Sequence, residues 1–228
     1  DLVLVHDEPL PFSQTDAWLN HRQIATHFHV RQRNLSDFSR LARLLTGEAN
    51  ALVLSGGGAR GLAHIGVLAG LADAGVTVDA IAGTSMGAVI AAWFAEGHTI
   101  DAMVELAREF FVRRKPMKEY TLPLVSLVSG HRVDKGLKET FGERRIEDML
   151  LPFVCTSSNL SDAQRVLHDR GVIWRSLRAS LAIPGILPPV PFKGDLLVDG
   201  GVLNNLPADV LRERYSGRII ASDVGQDR

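Results

Sequence analysis

The chain has 228 residues, 46% of them hydrophobic, 22% charged and 6% aromatic, and its 25 basic and 26 acidic side chains leave a net charge of -1. A chain of this size buries roughly 70% of the surface that its unfolded form exposes, so one soluble globular domain is expected without a metal or disulfide, and disorder and collagen-like order are excluded. With near-neutral charge and no basic domain or stripe, nucleic acid is not expected as a partner.

The single cysteine, Cys155, follows the apolar Pro152-Phe153-Val154 and has no intrachain partner, which fits a reducing compartment. The longest nearly uncharged apolar stretch, 80–95, contains Gly83, Thr84, Ser85 and Gly87 and falls short of the ~20 residues of a transmembrane helix. The chain starts Asp1-Leu2-Val3-Leu4-Val5, with neither an initiator methionine nor a signal-peptide pattern, and is expected to be part of a longer protein.

Two zones meet near Asn50. In the first, 2–5 reads as a short strand, Thr15 as the cap of a short helix through Trp18, and 26–32 as a weakly alternating edge strand. Ser36 reads as an N-cap, followed by Phe38, Leu41, Leu44 and Leu45 at helical spacing and a stop at Gly47. From Asn50 the pattern alternates: strand 51–55, glycine turn 56–60, helix 61–74 closed by Gly75, strand 78–82, sharp turn 83–87 and apolar helix 88–96. Thr99 caps a helix to about residue 112, the segments 151–157 and 164–168 read as strands, and 176–182 as a helix. The proline-rich 183–191 reads as a loop, 196–198 as a strand running into Asp199-Gly200-Gly201, and 218–222 as a last strand. Strands joined by helices in this way imply an α/β fold with a mostly parallel sheet covered on both faces.

Gly56-Gly57-Gly58-Ala59-Arg60-Gly61 satisfies G-x-G-x-x-G between a strand and a helix, the setting of a dinucleotide-binding turn. That reading calls for an acidic residue ending the second strand, whereas Asp79 opens it. The end of that strand holds Gly83-Thr84-Ser85-Met86-Gly87, a G-x-S-x-G nucleophile elbow that presents a serine hydroxyl above the sheet. With Ser85 as nucleophile, the backbone N–H groups of the first glycine loop become donors to the oxyanion of a tetrahedral intermediate, Gly57 and Gly58 foremost. Arg60 reads first as a support of that loop and second as an attractor of an anionic substrate group.

A serine needs a base. The histidines are His6, His21, His27, His29, His64, His98, His131 and His168, and none follows Asp199, so the order Ser, acid, His of the α/β-hydrolases is not available within this chain. A Ser85-Asp199 dyad is the simpler arrangement. Partial desolvation would lift the Asp199 carboxyl from ~3.9 toward a useful basicity.

These three motifs in this order, residues 56–61, 83–87 and 199–201, resemble the patatin-like phospholipases. The resemblance covers about 51–222 and implies a three-layer α/β/α fold, no cofactor and no metal, with Ser85 as nucleophile, Asp199 as base and Gly56, Gly57, Gly58 and Arg60 in the oxyanion loop. Val3-Leu4-Val5-His6, Trp18-Leu19, Arg22, residues 27–31 and residues 37–47 further resemble the segment before the catalytic domain in the neuropathy target esterase branch. That branch implies a lysophospholipid or phospholipid substrate and a site of action at the cytoplasmic face of a membrane. It also implies cyclic-nucleotide-binding-like domains upstream. On this reading 1–50 is an extension joining to such domains and 51–228 the catalytic domain.

Beside the catalytic reading, His27 and His29 read as edge-strand residues before they read as metal ligands. His64 reads as a packing residue, and Asn204-Asn205-Leu206-Pro207 as the shape of the turn after Asp199. Arg113, Arg114, Lys115 and Lys118 beside the apolar 122–128 are either a lipid-facing patch or an ordinary solvated helix end. The apolar 183–190 either lines an acyl groove, the preferred reading, or closes the core beneath Ser85. A nucleotide-binding module and a lipid-binding scaffold without turnover are the two readings of other classes.

Overall fold

The computed structural model describes residues 1–7, 10–113, 119–121 and 126–225. The strand β1 (Leu2–His6) pairs in parallel with β2 (His27–Arg31), Leu2 opposite His27, in a separate two-stranded sheet. Between them lies the short helix α1 (Thr15–Leu19), entered from a left-handed Gln14 at φ 66°. Thr15 does not cap it. Thr15 is buried inside the first turn and its N–H donates to the Asp148 carboxylate at 3.0 Å.

Helix α2 (Leu35–Thr46) is capped by Asn34, whose side chain accepts from Ser36 N–H at 3.1 Å and Asp37 N–H at 3.3 Å. The expected cap, Ser36, stands two places inside, because an Asn one residue before the helix reaches its free N–H groups first. Gly47 closes the helix in a left-handed conformation. The apolar stripe divides: Leu44 joins the core, while Phe38 and Leu45 are exposed. Asp37 and Arg40 take the buried face, with Arg31 and Arg40 binding both Asp37 oxygens at 2.7 to 3.0 Å.

From here strand and helix alternate: β3 (Asn50–Leu54), a 3-10 turn (Gly58–Leu62), α3 (Ala63–Asp73), β4 (Ala80–Thr84), α4 (Met86–Ala95) and α5 (Ile100–Ala107), which continues as a π-helical stretch (Arg108–Arg113). Then follow α6 (His131–Phe141), β5 (Phe153–Asn159), β6 (Arg165–His168), α7 (Ile173–Ser180), β7 (Val190–Phe192), β8 (Asp195–Asp199), α8 (Ala208–Arg214) and β9 (Arg218–Ser222). Thr99 caps α5 by accepting Ala102 N–H at 3.2 Å. The strand expected at 78–82 is displaced to Ala80–Thr84, because Asp79 is held below it by Arg43, at 2.6 and 3.0 Å, and by Asn50 N–H at 2.9 Å. Its carboxylate is consumed at the amino end of the strand, far from where a ribose would bind.

Strands β9, β3, β4 and β5 run parallel, and β6, β8 and β7 are antiparallel additions. The larger core packs α4 against the sheet, and every residue of α4 but Phe94 is buried, as expected of a helix that is apolar all round. The smaller core packs Val210 and Leu211 of α8 and Leu44 of α2 on the opposite face. This is the three-layer α/β/α arrangement.

One feature of the sheet sets the site. Thr156 of β5 pairs with Thr84 of β4, and the next residue, Ser157, pairs with Asp199 of β8. β6 occupies the other edge of β5 throughout, from Cys155 to Ser158. A strand has only two edges, so β4 and β8 share one edge of β5 and meet end to end, β4 arriving in parallel and β8 in antiparallel.

Candidate active site

Ser85 stands where β4 ends and α4 begins, at φ 55° and ψ -124°. A side chain at positive φ costs on the order of 1–3 kcal/mol and persists only where its surroundings enforce it. Here they do. Ser85 N–H donates to the fully buried Ser180 Oγ at 2.8 Å, and Ser85 carbonyl accepts from Ala88 N–H at 3.0 Å and Val89 N–H at 3.3 Å. Gly87 completes the turn by close approach: a Cβ there would lie 2.5 Å from the carbonyl oxygens of Leu54 and Ser55. Gly83 is pressed against the Gly87 carbonyl in the same way, so both elbow glycines are imposed by backbone packing.

Asp199 arrives from the other direction along the shared edge. Its N–H donates to Ala182 carbonyl at 2.9 Å, and its Oδ1 accepts Gly201 N–H at 2.7 Å. Its Oδ2 is buried and, among the described residues, takes no hydrogen bond. Burial pushes the Asp199 carboxyl above its ordinary value, partly offset by the Ser85 hydroxyl and the Gly201 N–H. The pair therefore combines a buried hydroxyl with a buried carboxylate whose free oxygen is available to take its proton.

The glycine loop divides unequally. Gly56 N–H donates to Asn205 carbonyl at 3.1 Å, so this residue, expected among the oxyanion donors, has its donor spent. Arg60 N–H is likewise spent on Gly57 carbonyl at 3.2 Å and its guanidinium is exposed; the Asp223 carboxyl is lowered first by Gly225 N–H and the Ser55 hydroxyl, with the Arg60 charge a lesser contribution. Among the described residues the Gly57 and Gly58 N–H groups have no acceptor, as expected just before and at the first position of a 3-10 turn.

Among the described residues, no histidine is hydrogen-bonded to Ser85 or Asp199. His64 bridges two strand ends, Nε2–H donating to Ser55 carbonyl and Nδ1 accepting from Ser222 Oγ, each at 2.9 Å, and burial lowers its pKa. His168 bonds Ser157 Oγ at 2.8 Å and is lowered to about 4 by burial. His27 and His29 converge on one backbone oxygen, Glu147 carbonyl, at 3.0 and 2.8 Å, which uses them as donors. Cys155 is buried in β5, and burial pushes its thiol far up.

The loop expected as a groove or a core plug is split. Leu187 is fully buried in the core, whereas Ile186 is exposed and the Gly185 and Ile186 carbonyls accept Leu127 and Val128 N–H. Of the basic cluster, Arg113 pairs with Glu109 at 3.1 Å, and Arg114, Lys115, Lys118 and residues 122–125 lie outside the described residues. The residues that sequence reasoning missed are Ser180 and the Thr84-Thr156 hydroxyl pair at 2.7 Å. Isolated serines and threonines carry no pattern that marks them.

The family model for "Patatin-like phospholipase" matches residues 52–212, which include all three motifs. The chain belongs to the patatin-like phospholipase family. Within that family it is 39% identical over 98% of its length to the mouse "Patatin-like phospholipase domain-containing protein 6" and 38% identical over 90% to "Lysophospholipase NTE1" of Saccharomyces cerevisiae. It spans 19% of the first and 12% of the second. The patatin-like fold is shared with VipD from Legionella pneumophila, at a TM-score of 0.53 and 12% identity, over 79% of this chain and 51% of that one.

Proposed function

We propose that this patatin-like chain is a serine esterase that hydrolyses the acyl ester of a lysophospholipid or phospholipid. The reading is carried by the end-to-end meeting of β4 and β8, which sets Ser85 beside a buried carboxylate with a free oxygen. Asp199 accepts the Ser85 proton as Oγ attacks the ester carbonyl. The oxygen that becomes negative is held by Gly57 and Gly58 N–H, one such donor being worth ~3 kcal/mol. The proton then passes to the leaving glycerol oxygen, the C–O bond breaks, and acyl-Ser85 remains. Water, deprotonated by Asp199, hydrolyses that ester and returns the serine. The reading uses no cofactor and no metal.

The substrate class is supported by the names of the relatives, among them a lysophospholipase. In this reading the reaction takes place at the cytoplasmic face of a membrane, reached peripherally or through segments outside this chain; no helix of the described residues is long and apolar enough to cross a membrane. Residues 1–50 serve as the extension between the catalytic domain, 51–228, and upstream domains, cyclic-nucleotide-binding-like ones in this reading. Incubation with a panel of one-chain and two-chain phospholipids, with fatty acid release followed by mass spectrometry, is expected to show hydrolysis by wild type and none by Ser85→Ala. A fluorophosphonate is expected to label Ser85 alone. Equal hydrolysis by the variant would sink the proposal.

A further inference from the structure

The glycine loop and the Asp199 turn come from opposite ends of the domain, yet oxyanion stabilisation requires that they hold a fixed relation to Ser85. The structure shows one residue spanning the gap. Asn205 receives Gly56 N–H on its backbone carbonyl at 3.1 Å and donates from Nδ2 to Gly56 carbonyl at 3.1 Å. Both polar groups of Gly56 are therefore held by a single residue 149 positions away. The Asn205 Oδ1 lies 2.5 Å from where a Cβ on Gly56 would stand and 2.9 Å from one on Gly201. The amide thus fills a slot between a glycine of the oxyanion loop and a glycine of the Asp199 turn, and neither position has room for a side chain.

The turn that carries Asn205 is itself fastened to the reacting groups. Thr84, the residue before the nucleophile, donates from Oγ1 to Asn204 carbonyl at 3.1 Å and accepts from Thr156 Oγ1 at 2.7 Å. Asn204 N–H donates to the carbonyl of Gly200, the residue after Asp199, at 2.8 Å. Asn204 Nδ2 donates to Asp209 Oδ1 at 2.8 Å, tying the turn to the start of α8. Residues 204 and 205 thus join the Gly56 peptide by hydrogen bonds to Thr84, beside the nucleophile, and to Gly200, beside Asp199.

We propose that Asn205 is a positioning residue for the oxyanion loop, a role that rests on the esterase reading above. By fixing the Gly56 peptide at both ends it orients the two free donors that follow, Gly57 and Gly58, toward the oxygen that gains charge when Ser85 attacks. Hydrogen bonds weaken steeply with angle, so a loop released by a fraction of an ångström keeps its fold and loses its function. An asparagine is needed because the site takes one donor, facing a carbonyl. Asparagine and aspartate have the same shape, but aspartate turns an acceptor against that carbonyl.

The test compares Asn205→Ala and Asn205→Asp with wild type. Asn205 is exposed, so neither change empties the core. Three quantities are read: kcat and KM for a lysophospholipid, the rate of Ser85 labelling by a fluorophosphonate, and the Ki of an alkyl trifluoromethyl ketone. The ketone forms a Ser85 hemiketal whose oxyanion needs the same donors. Loss of one oxyanion donor lowers kcat by ~10²–10³-fold, and displacement of two is expected to fall in that range for Asn205→Asp and somewhat short of it for Asn205→Ala. The ketone Ki is expected to rise in step with the loss in kcat, with KM nearly constant and the melting temperature little changed. Unchanged kcat and Ki in both variants, or a loss confined to KM, overturns the role of Asn205. A wild type that is never labelled at Ser85 overturns the esterase reading and this inference with it.

Discussion

Asp199 has to be ionised to act and is buried where ionisation is disfavoured. Its carboxyl is raised above the ordinary range by desolvation, so kcat/KM is expected to fall on acidification with a midpoint above the ~3.9 of a free aspartate. The pH-rate profile measures that midpoint directly, and an acid limb at or below the ordinary value would mean that another group is the base. The same burial has a sign for stability. A carboxyl with a raised folded pKa loses stability as pH climbs from the unfolded toward the folded value, because the unfolded chain releases its proton first. Asp199→Asn is therefore expected to lower kcat by about 10²–10⁴-fold. At pH 7 it should melt no lower than wild type, and a gain of about 1 kcal/mol would appear as roughly 2–4 °C.

The strained elbow is held by whole elements, α7 behind it and the end of β3 beneath it. Ser180, the last residue of α7, supplies the acceptor for Ser85 N–H, and Ser180→Ala leaves that N–H buried without a partner. An orphaned buried donor costs about 1–3 kcal/mol, and the strained φ of Ser85 loses one of its restraints. The expected result is a lower melting temperature together with slower fluorophosphonate labelling, whereas a variant that melts and labels like wild type would show that α7 does not restrain the elbow. Gly87→Ala is the harsher case, since its Cβ would meet two carbonyl oxygens of β3 and the loop after it at 2.5 Å. Overpacking against backbone has no flexible side chain to yield, and destabilisation of about 3 kcal/mol or more is expected in a denaturant titration.

At the scale of the molecule, the first 50 residues are docked on the remainder by apolar contacts of Leu10, Phe12 and Leu44 and by polar ones. Glu147 carbonyl accepts from His27 and His29 and Arg43 grips Asp79, while within the first 50 residues His6 bonds His29 Nδ1 at 2.8 Å. His29 is buried and lowered to about 4, chiefly by desolvation, with His27, His6 and Arg40 adding unfavourable charge. The unfolded chain takes up its proton near ~6.5 and the folded one only near 4, so stability is full above the first value and is lost as pH falls between them. Melting temperatures measured from pH 7.5 to 4 are expected to decline more steeply for wild type than for His29→Gln, whose amide still donates to Glu147 carbonyl. Parallel slopes would remove His29 from the account.

The family, the alternation of strand and helix, and the nomination of Ser85 and Asp199 were legible from sequence because each is a local pattern. A glycine-serine-glycine turn between an apolar strand and an apolar helix shows itself within ten residues, as does a carboxylate at the end of a strand followed by two glycines. The cap of α2 lies two residues before the expected one for an equally local reason, two good capping side chains standing two places apart, of which Asn34 takes the cap and Ser36 donates its hydroxyl to it. Which face of α2 turns inward is not legible at all, since the burial of Asp37 in place of Phe38 depends on Arg31 arriving from a strand. Tertiary structure alone decided that β8 shares an edge of β5 with β4, that Gly56 gives up its donor while Gly57 and Gly58 keep theirs, and that Ser180 and Asn205 face the elbow and the loop. Those choices join residues 95 positions apart through one hydrogen bond and residues 149 apart through two, and a contact of that kind leaves no period or composition in the sequence.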